Sequence, residues 1–207
     1  ALIPDSLMLP GNAGSRDPGI LQDDDGSNYL IFGTFQYYMA RLNEDMISLA
    51  EAPRAVKVIN AFGPFGAGKL DDKAFLHKYN GMYYLSWGCF YGISTSPYGP
   101  FTFRGSAIYD AYLAPSFQRS DSQIDRHGSF FELHGQWYFA SNDRSHGASS
   151  SFRNTAIGYV HYLDDGTINP VVLDETGVGQ YNVTSSSGVV QAENFFSIVG
   201  GQKKEKK

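Results

Sequence analysis

The sequence predicts an all-β fold that uses one four-stranded sheet three times, and two observations carry that prediction. The first is a repeat. Asp25-Gly26-Ser27-Asn28-Tyr29-Leu30, Asn80-Gly81-Met82-Tyr83-Tyr84-Leu85 and His134-Gly135-Gln136-Trp137-Tyr138-Phe139 share one pattern: a turn residue, a glycine, two further residues, a tyrosine and a large apolar residue. Their glycines stand 55 and 54 residues apart, and a fixed period of this length is the signature of a repeat architecture. The second is composition. Twenty-three glycines and 15% aromatic residues, with only 18% charged, suit short strands joined by tight turns.

Each copy reads as the same strand order. A short apolar run comes first, in Gly19-Ile20-Leu21, Phe75-Leu76 and Ser129-Phe130-Phe131. The Asp-Gly, Asn-Gly or His-Gly pair then signals a hairpin, because both central positions favour positive φ. An aromatic strand follows, over Tyr29–Thr34, Tyr83–Cys89 and Trp137–Ser141. A further hairpin closes each unit, at Leu42-Asn43-Glu44-Asp45, Ser96-Pro97-Tyr98-Gly99-Pro100 and Leu163-Asp164-Asp165-Gly166. Four antiparallel strands in about fifty-five residues describe a β-propeller blade. The sole stretch with a helical period, Leu42–Ala52, is ended by Pro53. Residues 1–175 are therefore expected to form a propeller with blades starting near residues 17, 72 and 127. Residues 176–207 read as a linker with either the start of another module or a disordered tail. Propellers close with roughly four to eight blades, and three alone leave open strand edges. A second chain or a further segment is expected to complete the ring.

Bulk properties narrow the function. The formal charge of -5 argues against nucleic acid, which needs a clustered basic face. The one basic cluster, Gln202–Lys207, reads as a solvated tail. No run approaches the roughly twenty apolar residues of a membrane span, and the first residues show no charged-then-apolar leader pattern. Cys89 is the single cysteine, so an intrachain disulfide is excluded; its apolar strand predicts a buried thiol. Asn182-Val183-Thr184 is a glycosylation sequon, which matters in a secretory compartment.

The period carries a second signal. Asp17, Asp72 and His127 each stand just before an apolar run, and each is 55 residues from the next. Equivalent positions at the start of the innermost strand face the central channel together. Two carboxylates and an imidazole would then converge on the concave site that such a ring offers. The plainer reading makes each a cap for its own loop. Convergent carboxylates suit glycoside hydrolysis, where one acid protonates the leaving oxygen and a second group works on the opposite face.

These residues carry a resemblance. Arg16-Asp17-Pro18-Gly19-Ile20-Leu21-Gln22-Asp23-Asp24-Asp25-Gly26 is similar to the second-blade pattern of glycoside hydrolase family 43. Ala40-Arg41-Leu42-Asn43-Glu44-Asp45-Met46 resembles the end of that blade. The stretch from Ala74 to Ser86 resembles the strand after the catalytic acid. Ser94-Thr95-Ser96-Pro97-Tyr98-Gly99-Pro100-Phe101 and His127-Gly128-Ser129 extend the likeness.

The resemblance implies a five-bladed propeller and an inverting glycosidase, arabinofuranosidase- or xylosidase-like, acting outside the cell on plant or algal polysaccharide. It implies that Asp72 is the general acid, with Asp71 as the neighbouring alternative, and that Asp17 orients the acid. His127 takes a channel position that can hold calcium or sodium through water, although no cofactor is required. Arg153 is a candidate substrate-facing arginine or a structural one, and Trp87 and Phe90 are candidates for a sugar-stacking wall or for core. Val190-Gln191-Ala192-Glu193-Asn194-Phe195-Phe196 is similar to the start of a family 6 carbohydrate-binding module. Two departures stand out. The acid segment reads Asp71-Asp72-Lys73-Ala74, where the family has glutamate, a small residue and proline. The blade that would carry the catalytic base is absent, and Asp5 is a poor substitute for it. A non-catalytic, glycan-binding or structural propeller is the alternative reading.

Overall fold

The computed structural model describes residues 16–108, 127–143, 154–173 and 178. Every regular element among them is a strand. The first sheet has the order β1 (Gly19–Gln22), β2 (Asn28–Thr34), β3 (Gln36–Leu42) and β4 (Arg54–Ala55). The chain then makes β5 (Val58–Ile59) and a small hairpin of β6 (Phe62–Gly63) and β7 (Gly66–Ala67). The second sheet contains β8 (Ala74–Tyr79), β9 (Met82–Trp87), β10 (Phe90–Ser94) and β11 (Phe101–Ser106). β5 adds to the outer edge of β11 in parallel, pairing Val58 with Phe101 and Ile59 with Thr102. The third sheet is β12 (Gly128–Leu133), β13 (Gln136–Asp143), β14 (Asn154–Tyr162) and β15 (Ile168–Asn169). Three four-stranded antiparallel blades thus follow the 55-residue period, and the fifth strand of the second blade had no signal in it.

The turns show how local chemistry sets register. In the second and third blades both central turn residues have positive φ: Asn80 and Gly81 at 47° and 75°, His134 and Gly135 at 53° and 82°. That is the backbone a two-residue hairpin needs to match strand twist. The first blade departs from this. Its loop runs from Asp23 to Ser27, and the Asp23 amide donates to Ser27 O at 2.8 Å. The longer loop turns the Asp23 carboxylate inward, where it accepts from the Tyr83 hydroxyl at 2.5 Å and pairs with Lys78 of the next blade. Burial alone would raise the Asp23 carboxyl. Contacts with Lys78 and Tyr83 outweigh it and hold the group below the ordinary range.

The blades join along their innermost strands. A Cβ on Gly19 would lie 3.1 Å from Ala74 O, so β1 runs close against β8. Between the second and third blades the seam is aromatic. His77 on β8 is buried between Tyr84 and Phe130, with ring centroids at 4.9 and 4.4 Å. Its Nε2 hydrogen-bonds the Tyr162 hydroxyl at 2.8 Å. Further out, Tyr84 donates to Gly166 O at 2.7 Å and the Ile168 amide donates to the Tyr91 hydroxyl at 2.8 Å. Cys89 is buried in this core, as its apolar strand predicted.

His77 makes the seam sensitive to acid. Burial lowers its pKa from 6.5 to about 3, so between those values the unfolded chain binds a proton that the native chain refuses. Stability is complete above the unfolded pKa and is lost as pH falls from about 6.5 toward 3, at up to about 1.4 kcal/mol per pH unit for one proton. Urea unfolding of the protein and of His77→Phe across this range should show a flatter pH dependence in the variant. Equal slopes would mean that His77 does not couple folding to protonation.

Candidate functional site

The rim where the inner strands begin is built around one apex. β2 and β3 meet with Thr34 opposite Gln36, so Phe35 stands alone at the turn, with φ 62°. Gly33 makes this possible: its φ is 130°, and a Cβ there would lie 2.1 Å from Gln36 O. The apex then gathers the segments before β1 and β8. Gly33 N donates to Arg16 O at 2.9 Å, and Phe35 N donates to Asp71 O at 3.0 Å. Below it, the buried Tyr37 hydroxyl donates to the same Asp71 O at 2.6 Å. Asp17 and Asp72 are therefore held one residue from two carbonyls that bind the same turn. They also sit two residues before Gly19 and Ala74, which touch. The structure brings these two sequence-derived carboxylates to neighbouring positions on one rim.

The electrostatics agree with that placement. Burial raises the Tyr37 hydroxyl well above its usual range, and the charges of Asp71, Asp72 and Asp17 push it further. Asp17 at φ 50° and Lys73 at φ 70° are both non-glycine residues in the left-handed region, a local cost that clusters at functional sites.

Asp71 and Asp72 differ in access. The Asp71 side chain is buried, with Oδ1 accepting the Asp72 amide at 2.9 Å and Oδ2 3.0 Å from Lys73 Nζ. Desolvation raises its pKa, and the Lys73 charge offsets this in part. Asp72 keeps 34% of its side chain exposed, while its Oδ1 pairs with Lys73, itself nearly sealed from solvent. Of the two, Asp72 is the one that a ligand can reach.

His127 stands immediately before β12. Its amide donates to Asn142 Oδ1, and the Asn142 amide returns a bond to His127 O at 3.0 Å. Among the described residues no three His, Cys, Asp or Glu side chains gather as a metal site. One imidazole supplies at most one ligand to a hard cation, and water or carboxylate oxygens would have to supply the rest. Arg153, Asp5 and the 190–196 segment lie outside the described residues.

Trp87 and Phe90 require a correction as sugar-facing residues. Both are buried, under the β6–β7 hairpin. Trp87 Nε1 donates to Phe62 O at 2.8 Å, and Phe90 packs edge-on against Phe62 at 6.0 Å. What they support is the aromatic wall that the sequence reading missed. The hairpin tip presents Phe65, which meets Phe35 edge-to-face at 5.5 Å, and the two rings are 53% and 57% exposed. The signal was present in Gly63-Pro64-Phe65-Gly66, a large aromatic in a turn that cannot bury it.

The profile of glycosyl hydrolases family 43 matches residues 4–168. A xylosidase/arabinosidase of Bacteroides ovatus is 31% identical over 180 residues, covering 68% of this chain and 52% of the relative. A beta-xylosidase of Xylanibacter ruminicola is 28% identical, covering 82% and 61%. The chain thus spans about half to three-fifths of the length of these relatives. Among solved structures, a β-xylosidase/α-arabinofuranosidase from a compost metagenome, in complex with xylotriose and calcium-free, aligns with TM-score 0.62 and 26% identity over 75% of this chain and 57% of its own. A Xanthomonas citri enzyme in complex with xylose aligns with TM-score 0.63 and 26% identity, over 81% and 59%. These neighbours are five-bladed propellers.

The Asp71–Lys73–Asp72 group gives a direct test. Lys73→Met leaves the Asp71 carboxylate buried without its cation and should cost about 3–5 kcal/mol. Adding Asp71→Asn should recover most of the loss in equilibrium urea unfolding. A single Lys73→Met variant as stable as the parent would show that the group carries no such coupling.

Proposed function

The chain belongs to glycosyl hydrolases family 43, and on that premise we propose that it forms the acid-bearing part of an inverting glycosidase acting on xylose- or arabinose-containing chains. The observation that supports the proposal is a solvent-reachable Asp72 on the rim where the Phe35 turn binds the neighbouring Asp71 carbonyl. The substrate class is supported by the names of the relatives and by the xylose and xylotriose held by the structural neighbours.

In this reading Asp72 donates its proton to the glycosidic oxygen as the bond to the anomeric carbon breaks. Lys73 holds Oδ1, which leaves Oδ2 to face the leaving group. Asp17, fixed through Arg16 and Gly33, orients the acid. Phe35 and Phe65 offer apolar ring surface to the C–H face of a sugar. The base, which activates water on the opposite face, is expected from a blade beyond these three. Exposed Ile20 on β1 and exposed Phe131 and Leu133 on β12 are apolar surface of the kind that further blades would cover, whether from this chain's own longer form or from a second chain.

One observation favours the second reading, a glycan-binding propeller without turnover. The acid position is ion-paired to Lys73, and a cation in contact is an unusual companion for a proton donor. Hydrolysis of xylo- and arabino-oligosaccharides, assayed with the blade that supplies the base present, separates the two. Under the leading reading, Asp72→Asn should lower kcat by about 10²–10⁴-fold, while Phe35→Ala should raise KM about five- to tenfold with little change in kcat. Undiminished turnover in Asp72→Asn would overturn the acid assignment. Saturable binding without turnover would favour the binding module.

A further inference from the structure

We infer that the Phe35–Phe65 corner is the leaving-group subsite of the rim: it receives the part of the substrate released on protonation, and that part is itself a sugar. This rests on the glycosidase reading above and says which side of the scissile bond the two rings serve.

Both rings are built onto the acid segment. Phe35 N donates to Asp71 O at 3.0 Å, so the ring at the apex of the β2–β3 turn rides on the residue before Asp72. Phe65 stands at the tip of the β6–β7 hairpin, and the chain that leaves this hairpin at Ala67 runs through Gly68, Lys69 and Leu70 into Asp71. The return is tight. Gly68 N donates to Ala61 O at 2.7 Å, and a Cβ on Gly63 would lie 2.8 Å from Lys69 O. Leu70 is buried, and Trp87 Nε1 fastens the hairpin through Phe62 O at 2.8 Å. The corner and the acid segment are therefore one block, with their relative position set by hydrogen-bonded backbone.

The chemistry of the acid assigns the side. In an inverting hydrolysis the acid stands at the leaving oxygen, and water attacks the opposite face of the anomeric carbon. Groups built on the acid segment then meet the departing part of the substrate, and groups on the far side belong with the base. The surface suits a sugar there. Phe35 and Phe65 meet at 72°, and each keeps more than half its surface exposed. Ring surface turned in two directions fits a body with an apolar face and polar edges, as a pyranose has, because the C–H face stacks while the hydroxyls stay in water. A one-residue turn and a hairpin tip are both places where a polar residue would serve the fold, so paired phenylalanines there are surface kept for contact.

Substrates that share a glycone and differ in leaving group test this, with the blade that supplies the base present. Xylobiose releases a sugar large enough to span the corner, and xylosyl fluoride releases an ion that is not. Arabinosyl-xylotriose and methyl arabinofuranoside form the corresponding arabinose pair. Phe65→Ala should lower the ratio of kcat/KM for the sugar-leaving substrate to that for its partner about tenfold, and Phe65→Tyr, which keeps a ring, should hold the ratio within about threefold of the parent. An equal loss on both members of a pair would assign the ring to the glycone or to the fold alone and would overturn the subsite. A ratio that falls as far in Phe65→Tyr as in Phe65→Ala would overturn it too. A parent that hydrolyses neither pair would remove the glycosidase reading and this subsite with it; a parent that hydrolyses a pair, with the ratio unmoved in Phe65→Ala, would remove the subsite alone.

Discussion

The structure depends on how its blades hold together where they share no strand pairing. Sheets in a propeller touch face to face, and apolar contact alone is non-directional. Here large rings fill the seams, and their polar tips fix the angle. Tyr83 reaches Asp23 across the first seam. His77 and Tyr162, Tyr84 and Gly166, and Tyr91 and Ile168 span the second. Each ring brings burial and one directed bond. The seam accepts a single rotation of one blade on the next, and that rotation sets where the strand beginnings meet.

The rim chemistry inherits this. Asp17 and Asp72 come from separate blades and share one rim because β1 lies against β8 at Gly19. Inside the rim, Asp71 and Asp72 are adjacent in sequence but opposite in role. One carboxylate is spent within the protein, holding an amide and a buried ammonium, and the other is left at the surface. Lys73 makes the division possible, since two carboxylates side by side repel each other unless a cation separates them. The same cation keeps the second, non-hydrolytic reading open.

Much of this was legible in the sequence because it is periodic. The blade count, the Asn-Gly and His-Gly hairpins and the common spacing of Asp17, Asp72 and His127 follow from a 55-residue repeat, and the family likeness rests on the motifs around them. What was not legible came from contacts between copies. Trp87 and Phe90 read as sugar-facing or as core, and the β6–β7 hairpin that buries them lies between the first two blades, in a segment that carries no repeat signal. Phe35 directly follows the Tyr29–Thr34 run that reads as strand; its exposure follows from a one-residue turn that the Gly33 backbone permits. The Asp25-Gly26 pair resembled the other two turns, yet Asp23 widened that loop to reach the next blade. Local pattern locates strands, and cross-blade partners decide which of their residues face outward.

The parallel pairing of β5 with β11 also orders events in time. Residues 58 and 59 leave the ribosome about forty residues before residues 101 and 102, their partners. At roughly 5–20 residues per second, that is a wait of about two to eight seconds. During that interval β1 to β4 are complete, but the link out of them has nowhere to dock. The nascent first blade must therefore tolerate a loose strand at its exit. That strand is two residues long and flanked by Lys57 and Asn60, too short and too polar nearby to serve as a template for stray pairing while it waits.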